Sequence, residues 1–327
     1  MEFSLALAYL EPVLALLESQ NVTEVMVNGP NKVFVKRYGA AKEFVPIAIS
    51  KNAINDAITA LASSSYRQVG TGRAEGLRII SAQLPGYRIE AWLEPVAVFG
   101  PCLTIRKLGS TVFTLEQLVA RELLTEAVAC YLRDAVQGKK NIFLAGGTGS
   151  GKTTLANSLL AVIPDDERLI VIETIHELNL RQENVLYFEA DPEQGVSVRR
   201  LIKSAMRGFP DRIIVGEVRG EEAYDLIYAA KSGHPGTVAT LHADDSASIL
   251  EKLEDMCIEG QPNLPLFSHR KRIASAAHVL GFMQEVRVGN CRELRLCELR
   301  EVQGLDTAGN YQTRLIYEYD RFPVLNH

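Results

Sequence analysis

The chain has 327 residues, of which 47% are hydrophobic and 23% charged, so it suits about two globular domains of ordinary size. Its net charge of -5 disfavours a general basic surface that would bind nucleic acid nonspecifically, although it allows a local basic channel. No direct sequence-specific binding of nucleic acid is expected. The five cysteines form no CxxC pair, which is typical of reduced thiols in a cytosolic protein, and no metal-ligand signature is present.

The first 19 residues are apolar enough to suggest a signal peptide. They lack the basic start of a signal peptide and carry the acidic residues Glu2 and Glu11. Because Leu10, Leu14 and Leu17 recur at helical spacing, a short amphipathic helix is the better interpretation. No window approaches 18 uninterrupted apolar residues, so no transmembrane helix is predicted and any membrane association would be peripheral.

Residues 1–107 show the pattern of an N-terminal α+β domain. A helix is predicted over 51–64, and strands are predicted over 22–28, 32–38, 77–84, 87–93 and 102–108. Turn formers in GSTVFT (109–114) indicate a linker over 108–116, which is followed by a long amphipathic run over 116–137.

Residues 117–327 show a second pattern, in which short apolar strands alternate with helices. The segments NIFLA, RLIVIE, RIIVGE and TVATL alternate with helical segments such as TTLANSLLAV and EAYDLIYAAKSG, and two further helical patterns and a β-rich tail over 286–320 follow. This alternation predicts an α/β domain with a mostly parallel sheet covered by helices.

A phosphate-binding loop is predicted between the first of these strands and the helix after it. Gly146-x4-Gly151-Lys152-Thr153 has P-loop spacing in the required strand-to-helix context. Its backbone amides would surround phosphates, while Lys152 would reach the β- and γ-phosphate oxygens and Thr153 an Mg²⁺ ion. The residues expected to bind nucleotide are Gly146, Gly147, Thr148, Gly149, Ser150, Gly151, Lys152, Thr153 and Thr154.

Two strands end in carboxylates. Glu217 follows the strand RIIV and would face Mg²⁺ and the attacking water, unless it only caps a turn with Arg219. Glu173 ends the strand RLIVIE and is the stronger candidate general base. Glu177 is a second candidate, whose alternative is an i,i+4 pair with Arg181.

His234 and His242 lie on either side of the strand TVATL. A neutral imidazole can hydrogen-bond a γ-phosphate oxygen or a neighbouring carboxylate and so report whether that phosphate is present. Both are therefore candidates for nucleotide sensing, with a structural role as the alternative.

The succession of the P-loop, IETIHEL, RRLIKSAMRGFPDRIIVGEVRG and SGHPGTVATLHA closely resembles the four motif blocks of the secretion ATPase superfamily. This superfamily comprises the motors of type II and type IV secretion, type IV pilus assembly and conjugation. The resemblance implies a RecA-like motor domain in a hexameric ring that hydrolyses ATP with Mg²⁺. It also implies a cytoplasmic protein associated peripherally with the inner membrane, with partners among inner-membrane and coupling components of a secretion apparatus.

The resemblance has departures that bear on function. Thr174 stands where many relatives have aspartate, so the acidic pair is reduced to Glu173 and Glu177. The absence of a CxxC insert disfavours the type II branch, and the size and tail favour a conjugal transfer ATPase. The alternatives are a pilus extension or retraction ATPase, a nucleotide-gated docking scaffold with negligible turnover, and a recombinase-like nucleic-acid motor.

The resemblance also implies that N-terminal arginines face a bound nucleotide. An arginine adds positive charge for phosphoryl transfer beyond that of lysine and Mg²⁺. Arg106, at the end of the strand CLTIR, is the preferred residue and Arg88 the second, each acting on a neighbouring subunit. The alternatives are a solvated strand end or a role for the arginines of the second domain, Arg199, Arg200, Arg207 and Arg219.

Overall fold

A computed structural model describes residues 9–19, 21–37, 40–64, 78–84, 86–107, 112–289 and 291–319. The chain divides into two compact units, Met1–Ser110 with Gly289–Arg292, and Thr111–Val288 with Glu293–His327. The predicted linker residues 108–111 and the start of the predicted N-terminal helix lie outside the described residues. Within the described ranges, no helix has both the length and the apolar character needed to cross a membrane.

The first unit is a six-stranded sheet with helices packed on one face. Its elements are α1 (Glu11–Glu18), β1 (Val22–Val27), β2 (Val33–Arg37), β3 (Glu43–Val45), α2 (Lys51–Ser64), β4 (Ile79–Leu84), β5 (Tyr87–Trp92) and β6 (Cys102–Lys107). The strand order is β3-β2-β1-β6-β5-β4. Alternate strand residues such as Val25, Ile89 and Ile105 are buried in one core with Leu17 of α1 and Ile58 of α2. This unit contains two helices and six strands in its described residues, of which the short strand β3 was not predicted.

The second unit is built on an eight-stranded sheet. Its elements are α3 (Leu115–Ala120), α4 (Glu126–Gln137), β7 (Ile142–Gly146), α5 (Lys152–Leu160), β8 (Leu169–Glu173), β9 (Val185–Glu189), α6 (Val198–Ala205), β10 (Arg212–Val215), α7 (Glu222–Lys231), β11 (Val238–Leu241), α8 (Ser248–Gly260), α9 (Leu266–Ala276), β12 (Val279–Val288), β13 (Cys291–Leu305) and β14 (Tyr311–Glu318).

The strand order in this sheet is β14-β13-β12-β7-β11-β10-β8-β9. The six strands from β12 to β9 are parallel, and β13 pairs with β14 in antiparallel fashion. The buried apolar residues form two clusters that share the strands between them. Since parallel strands start and finish at common edges, the loops after β7, β8, β10 and β11 meet at one carboxyl edge.

The amphipathic run over 116–137 forms two helices. Thr114 and Gln117 form a capping box at the start of α3, and the Thr125 hydroxyl caps α4 by accepting from the Val128 amide at 3.3 Å. Between them Glu122 has a φ of +56°, which no helix interior permits. The Thr125-Glu126 pair is a helix-start signal that the apolar periodicity obscured.

A buried ion pair fixes the beginning of β10. The guanidinium of Arg212, which has no exposed surface, donates to the two oxygens of Glu167 at 2.7 and 2.8 Å and to the carbonyl of Val136 at 2.7 Å. Breaking such a pair leaves an uncompensated buried charge. Arg212 therefore stabilises the sheet at the edge opposite to the predicted phosphate loop.

Candidate functional site

The predicted phosphate loop follows the fully buried strand β7. Gly146 has a φ of +146° and pairs with Met283 of β12, and a Cβ at Gly146 would lie 2.1 Å from the Met283 carbonyl oxygen. Gly151 has a φ of +94°, precedes α5, and lies against Leu294 of β13. The loop thus needs glycine at both consensus positions, for backbone conformation and for close approach.

Two side chains of this loop, Ser150 and Lys152, are buried. The ammonium of Lys152, which is 8% exposed, donates to the carbonyls of Gly146 at 2.7 Å and Gly147 at 2.9 Å. Among the described residues, the Ser150 hydroxyl is one of the few buried side-chain groups that lack a hydrogen-bond partner. The first amides of α5 have no acceptor within the helix and carry its positive end. An orphaned hydroxyl, the amides at the start of α5 and a lysine are a donor set that fits phosphate.

Glu173 organises the loop that follows β8. Its side chain is 6% exposed, and its Oε1 accepts from the amides of Glu177 and Leu178, each at 3.1 Å. His176 Nδ1 lies 3.3 Å from Oε2. Burial raises the pKa of Glu173, while these amides and His176 act in the opposite direction. The carboxylate therefore holds the chain turn after β8 in this conformation.

Glu177 lies beside the first turn of α5. Thr153 Oγ1 donates to Glu177 Oε2 at 3.3 Å, and Asn157 Nδ2 donates to the Glu177 carbonyl at 3.4 Å. Arg181, the alternative partner of Glu177, lies 3.7 Å from Asp165. The structure thus brings Glu177 to the hydroxyl that is expected to meet Mg²⁺.

Glu217 and His242 meet at the carboxyl edge of β10 and β11. His242 Nε2 lies 2.9 Å from Glu217 Oε1, and Arg219 Nε donates to Glu217 Oε2 at 2.8 Å. Thr240 Oγ1 of β11 donates to the Gly216 carbonyl at 2.7 Å and fixes the peptide before Glu217. Both interpretations of Glu217, at the nucleotide and on Arg219, therefore have a geometric basis.

His234 lies at the other end of β11. Its Nδ1 is 3.1 Å from the Pro210 carbonyl oxygen, and it precedes Val238, whereas the phosphate loop follows the carboxyl end of the parallel strand β7. A strand of four residues spans about 13 Å. The structure does not bring His234 to the loop, and its expected role in nucleotide binding is corrected to a contact with the Pro210 turn.

Arg106 and Arg88 are neighbours in the first unit. They are paired across β6 and β5, and Arg106 Nε lies 3.6 Å from Glu24 Oε1. By strand alternation, all three lie on the face away from the helices. Their action on a neighbouring subunit stays a prediction.

Arg199, an alternative in the second unit, is held inside that unit. It donates to Asp225 at 2.6 Å and to the Gly260 carbonyl at 2.8 Å. Asp225 is buried, so this arginine supports the packing of α6 on α7 and α8. These contacts favour a structural role.

Three contributors to the site were missed in the sequence: Thr240, Met283 and Leu294. Thr240 precedes His242 by two residues, and residues two apart along a strand face the same side, which was a usable signal for a side chain at the same edge. Met283 and Leu294 contact the phosphate loop from distant strands, and nothing local in the sequence marks them.

The fold is that of an α/β protein, with a glycine-rich loop between β7 and α5 at the carboxyl edge of its sheet. The family described as "Type II/IV secretion system protein" matches residues 7–303, so the chain belongs to that family. This finding confirms the resemblance to the secretion ATPases.

Two relatives illustrate the family. The chain is 38% identical over 255 residues to the conjugal transfer protein TrbB of Rhizobium radiobacter, with 76% of each protein covered. It is 34% identical over 284 residues to the type IV secretion system protein VirB11 of Brucella suis, covering 77% of this chain and 78% of that relative.

Solved structures show the same fold. The Legionella pneumophila ATPase DotB matches with a TM-score of 0.64 at 20% identity over 88% of this chain and 79% of that one. The pilus retraction motor PilT with bound ADP matches with a TM-score of 0.64 at 19% identity over 95% of this chain and 84% of that one.

Proposed function

We propose that the chain is an ATP-hydrolysing motor subunit of a conjugative type IV secretion system, which powers pilus biogenesis or substrate transfer. The observation that carries this proposal is the glycine loop with Lys152, placed at the same sheet edge as the Glu217–His242 pair. The names of the relatives, a conjugal transfer protein and type IV secretion proteins, support the choice of apparatus.

ATP would be held by the phosphate loop. The amides before and within the first turn of α5 bind its phosphate oxygens, and Lys152 exchanges its two carbonyl contacts for the β- and γ-phosphates. The Thr153 hydroxyl and the Glu217 carboxylate are oxygen ligands that fit a hard cation and would hold Mg²⁺. Mg²⁺ bound there would supply positive charge to the phosphate oxygens.

The carboxylates of Glu217 and Glu173 have different proposed roles. Glu217 is the group that orients the attacking water, because its carboxylate is half-buried and contacts two exposed side chains, Arg219 and His242. Glu173 was the stronger candidate base from sequence. In this geometry its oxygens accept backbone amides, so its contribution is to hold the loop that carries Glu177.

His242 would couple the phosphate to movement. Its imidazole bonds Glu217 in the structure and can instead donate to the γ-phosphate, so loss of that phosphate returns it to the carboxylate. Arg106, with Arg88 beside it, would reach the nucleotide of the next subunit in a homohexamer. Hydrolysis in one subunit would then release its neighbour's first unit.

The proposed setting is the cytoplasmic face of the inner membrane, with peripheral association. Partners would be other copies of the chain and the inner-membrane and coupling components of the secretion apparatus. The family assignment supports this setting.

The test of function is steady-state phosphate release by Lys152→Ala. Removing the ammonium should lower turnover by about two orders of magnitude or more while the melting temperature is unchanged. Lys231→Ala is the matched control, since Lys231 lies in the same unit and donates to Ser275. Normal turnover by Lys152→Ala would remove the loop from the mechanism, and ATP binding without turnover by the wild type would favour the docking scaffold.

The proposal that Arg106 of one subunit acts on the ATP bound by the next subunit is tested by mixing Arg106→Ala with Lys152→Ala subunits. Some interfaces then pair an intact phosphate loop with an intact arginine, so ATPase activity should partly recover above either variant alone. Co-assembly is checked by mass measurement with Mg-ATP. Full activity of Arg106→Ala alone, or no recovery in verified mixed rings, would exclude Arg106.

A further inference from the structure

The loop that carries His242 is anchored at a second point. Ser246, four residues further on, has no exposed surface, and its hydroxyl donates to Glu298 Oε2 at 2.6 Å. The Ser246 amide lies 3.4 Å from the same oxygen, and Arg300 Nε donates to the Ser246 hydroxyl at 2.9 Å. Glu298 and Arg300 both belong to β13, so a distant strand holds this loop through a buried polar group.

The loop is short and constrained at both ends. His242 leaves β11 at the Glu217 carboxylate, and α8 starts at Ser248, whose amide donates to Asp245 Oδ1 at 2.7 Å. Ser246 lies between these two points. Freeing it would remove the hydrogen bonds that tie residues 243–247 to β13 and so let this loop move more easily.

The same strand touches other parts of the site. Leu294 of β13 lies against Gly151, where an added Cβ would be 3.1 Å from its Cδ1. The Leu296 amide donates to the Leu123 carbonyl at 2.8 Å, beside the turn before α4. The strand therefore contacts the phosphate loop, the His242 loop and the turn that follows α3.

We propose that Glu298 and Ser246 are positioning residues, which hold the 242–247 loop so that His242 meets Glu217. This inference rests on the proposed ATPase function. A hydrogen bond to a charged group contributes more than a neutral one, and a buried hydroxyl without a partner destabilises its surroundings. Loss of either residue therefore misplaces His242 without touching the groups that bind phosphate.

Glu301 provides a matched control on the same strand. Lys140 Nζ donates to Glu301 Oε1 at 2.6 Å and Arg314 Nη2 donates to Glu301 Oε2 at 2.6 Å. Lys140 precedes β7, so these contacts lie at the amino edge, away from the phosphate loop. Glu298→Ala and Glu301→Ala each remove a carboxylate with ionic partners from β13, but only the first should affect the site.

The expected result is a split between turnover and binding. Glu298→Ala and Ser246→Ala should each lower kcat by about tenfold, with ATP affinity within about twofold of wild type. Glu301→Ala should keep kcat within about twofold. Glu298→Gln can still accept a hydrogen bond from Ser246, so its kcat should be close to that of the wild type. The double variant Ser246→Ala/Glu298→Ala should have a kcat no lower than that of either single variant.

Hydrogen exchange gives a readout that does not depend on turnover. Amides over 243–247 should exchange at least about tenfold faster in Glu298→Ala and Ser246→Ala than in Glu301→Ala. Equal kcat values for Glu298→Ala and Glu301→Ala, or unchanged exchange in the loop, would overturn the inference. If the wild type releases no phosphate, the proposed function fails, and the exchange rates alone decide whether Glu298 holds the loop.

Discussion

Replacement of Gly146 by alanine tests whether the phosphate loop depends on its contact with β12. The new Cβ would lie 2.1 Å from the Met283 carbonyl oxygen and 2.7 Å from the Ser150 hydroxyl oxygen. The carbonyl belongs to a strand paired with β7 and cannot turn away. We expect overpacking to cost about 1–3 kcal/mol in addition to about 1 kcal/mol for the backbone conformation.

Gly149→Ala is the matched variant. Gly149 lies in the same loop with a φ of +75°, and a Cβ there would meet nothing within 4 Å. Only the conformational term applies, so Gly149→Ala should lose about 1 kcal/mol of unfolding free energy. Gly146→Ala should lose about 2–4 kcal/mol in total and weaken ATP binding as the loop shifts.

Urea unfolding gives the free energies of both variants and of the wild type, and titration with a fluorescent ATP analogue gives their affinities. The comparison depends on the difference between the two glycines, so errors in the absolute values largely cancel. Equal losses at Gly146 and Gly149, with equal affinities, would refute the argument that β12 presses on the loop.

Three further predictions concern stability and reactivity. Arg212→Met should lower the unfolding free energy by about 3 kcal/mol in urea titration, because Glu167 stays buried with weakened pairing, and a loss below about 1 kcal/mol would contradict this. Burial raises the pKa of Glu173 above 4.5, so its stabilising contribution is greatest below that pH and falls as the pH rises through the raised value. Glu173→Gln should therefore gain stability relative to wild type as the pH rises above 4.5, and a difference constant with pH would exclude this. Iodoacetamide should modify the exposed Cys130 quickly and leave Cys257 unmodified in the native protein, because burial raises the pKa of Cys257 to about 12, and mass spectrometry distinguishes the two.

The sequence patterns predicted most of the fold because most elements carry a strong local period. Strands such as β1 and β5 largely alternate buried and half-buried residues, and β7 and β8 are short apolar runs between turns. The predicted β-rich tail began at Val286, whereas β12 starts at Val279. The run VLGFM directly follows a helix, and a short apolar run there fits helix or strand equally well.

The candidate site was predictable where chemistry is encoded in consecutive residues. The glycine spacing in its strand-to-helix context predicted the phosphate loop, and the strand-end position predicted Glu217. His242 was a candidate because it flanks the strand TVATL. Glu173 accepts hydrogen bonds from amides four and five residues later, and these contacts depend on the path of a loop. A loop sequence has no hydrophobic period from which that path could be predicted. The contact of Ser246 with Glu298 joins residues far apart in the chain, and a single sequence carries no signal for such pairs.

The contacts of β12 and β13 with the phosphate loop also affect how the protein folds during translation. Met283 and Leu294 follow Gly146 by about 140 residues, which ribosomes translate at roughly 5–20 residues per second. For about 7–30 s, a nascent chain therefore has the glycine loop but not the strands that press on it. Nucleotide can stabilise the finished loop only after nearly the whole chain has emerged. If translation pauses before β12 is made, the edge of β7 that pairs with β12 is open to chaperones and to other nascent chains.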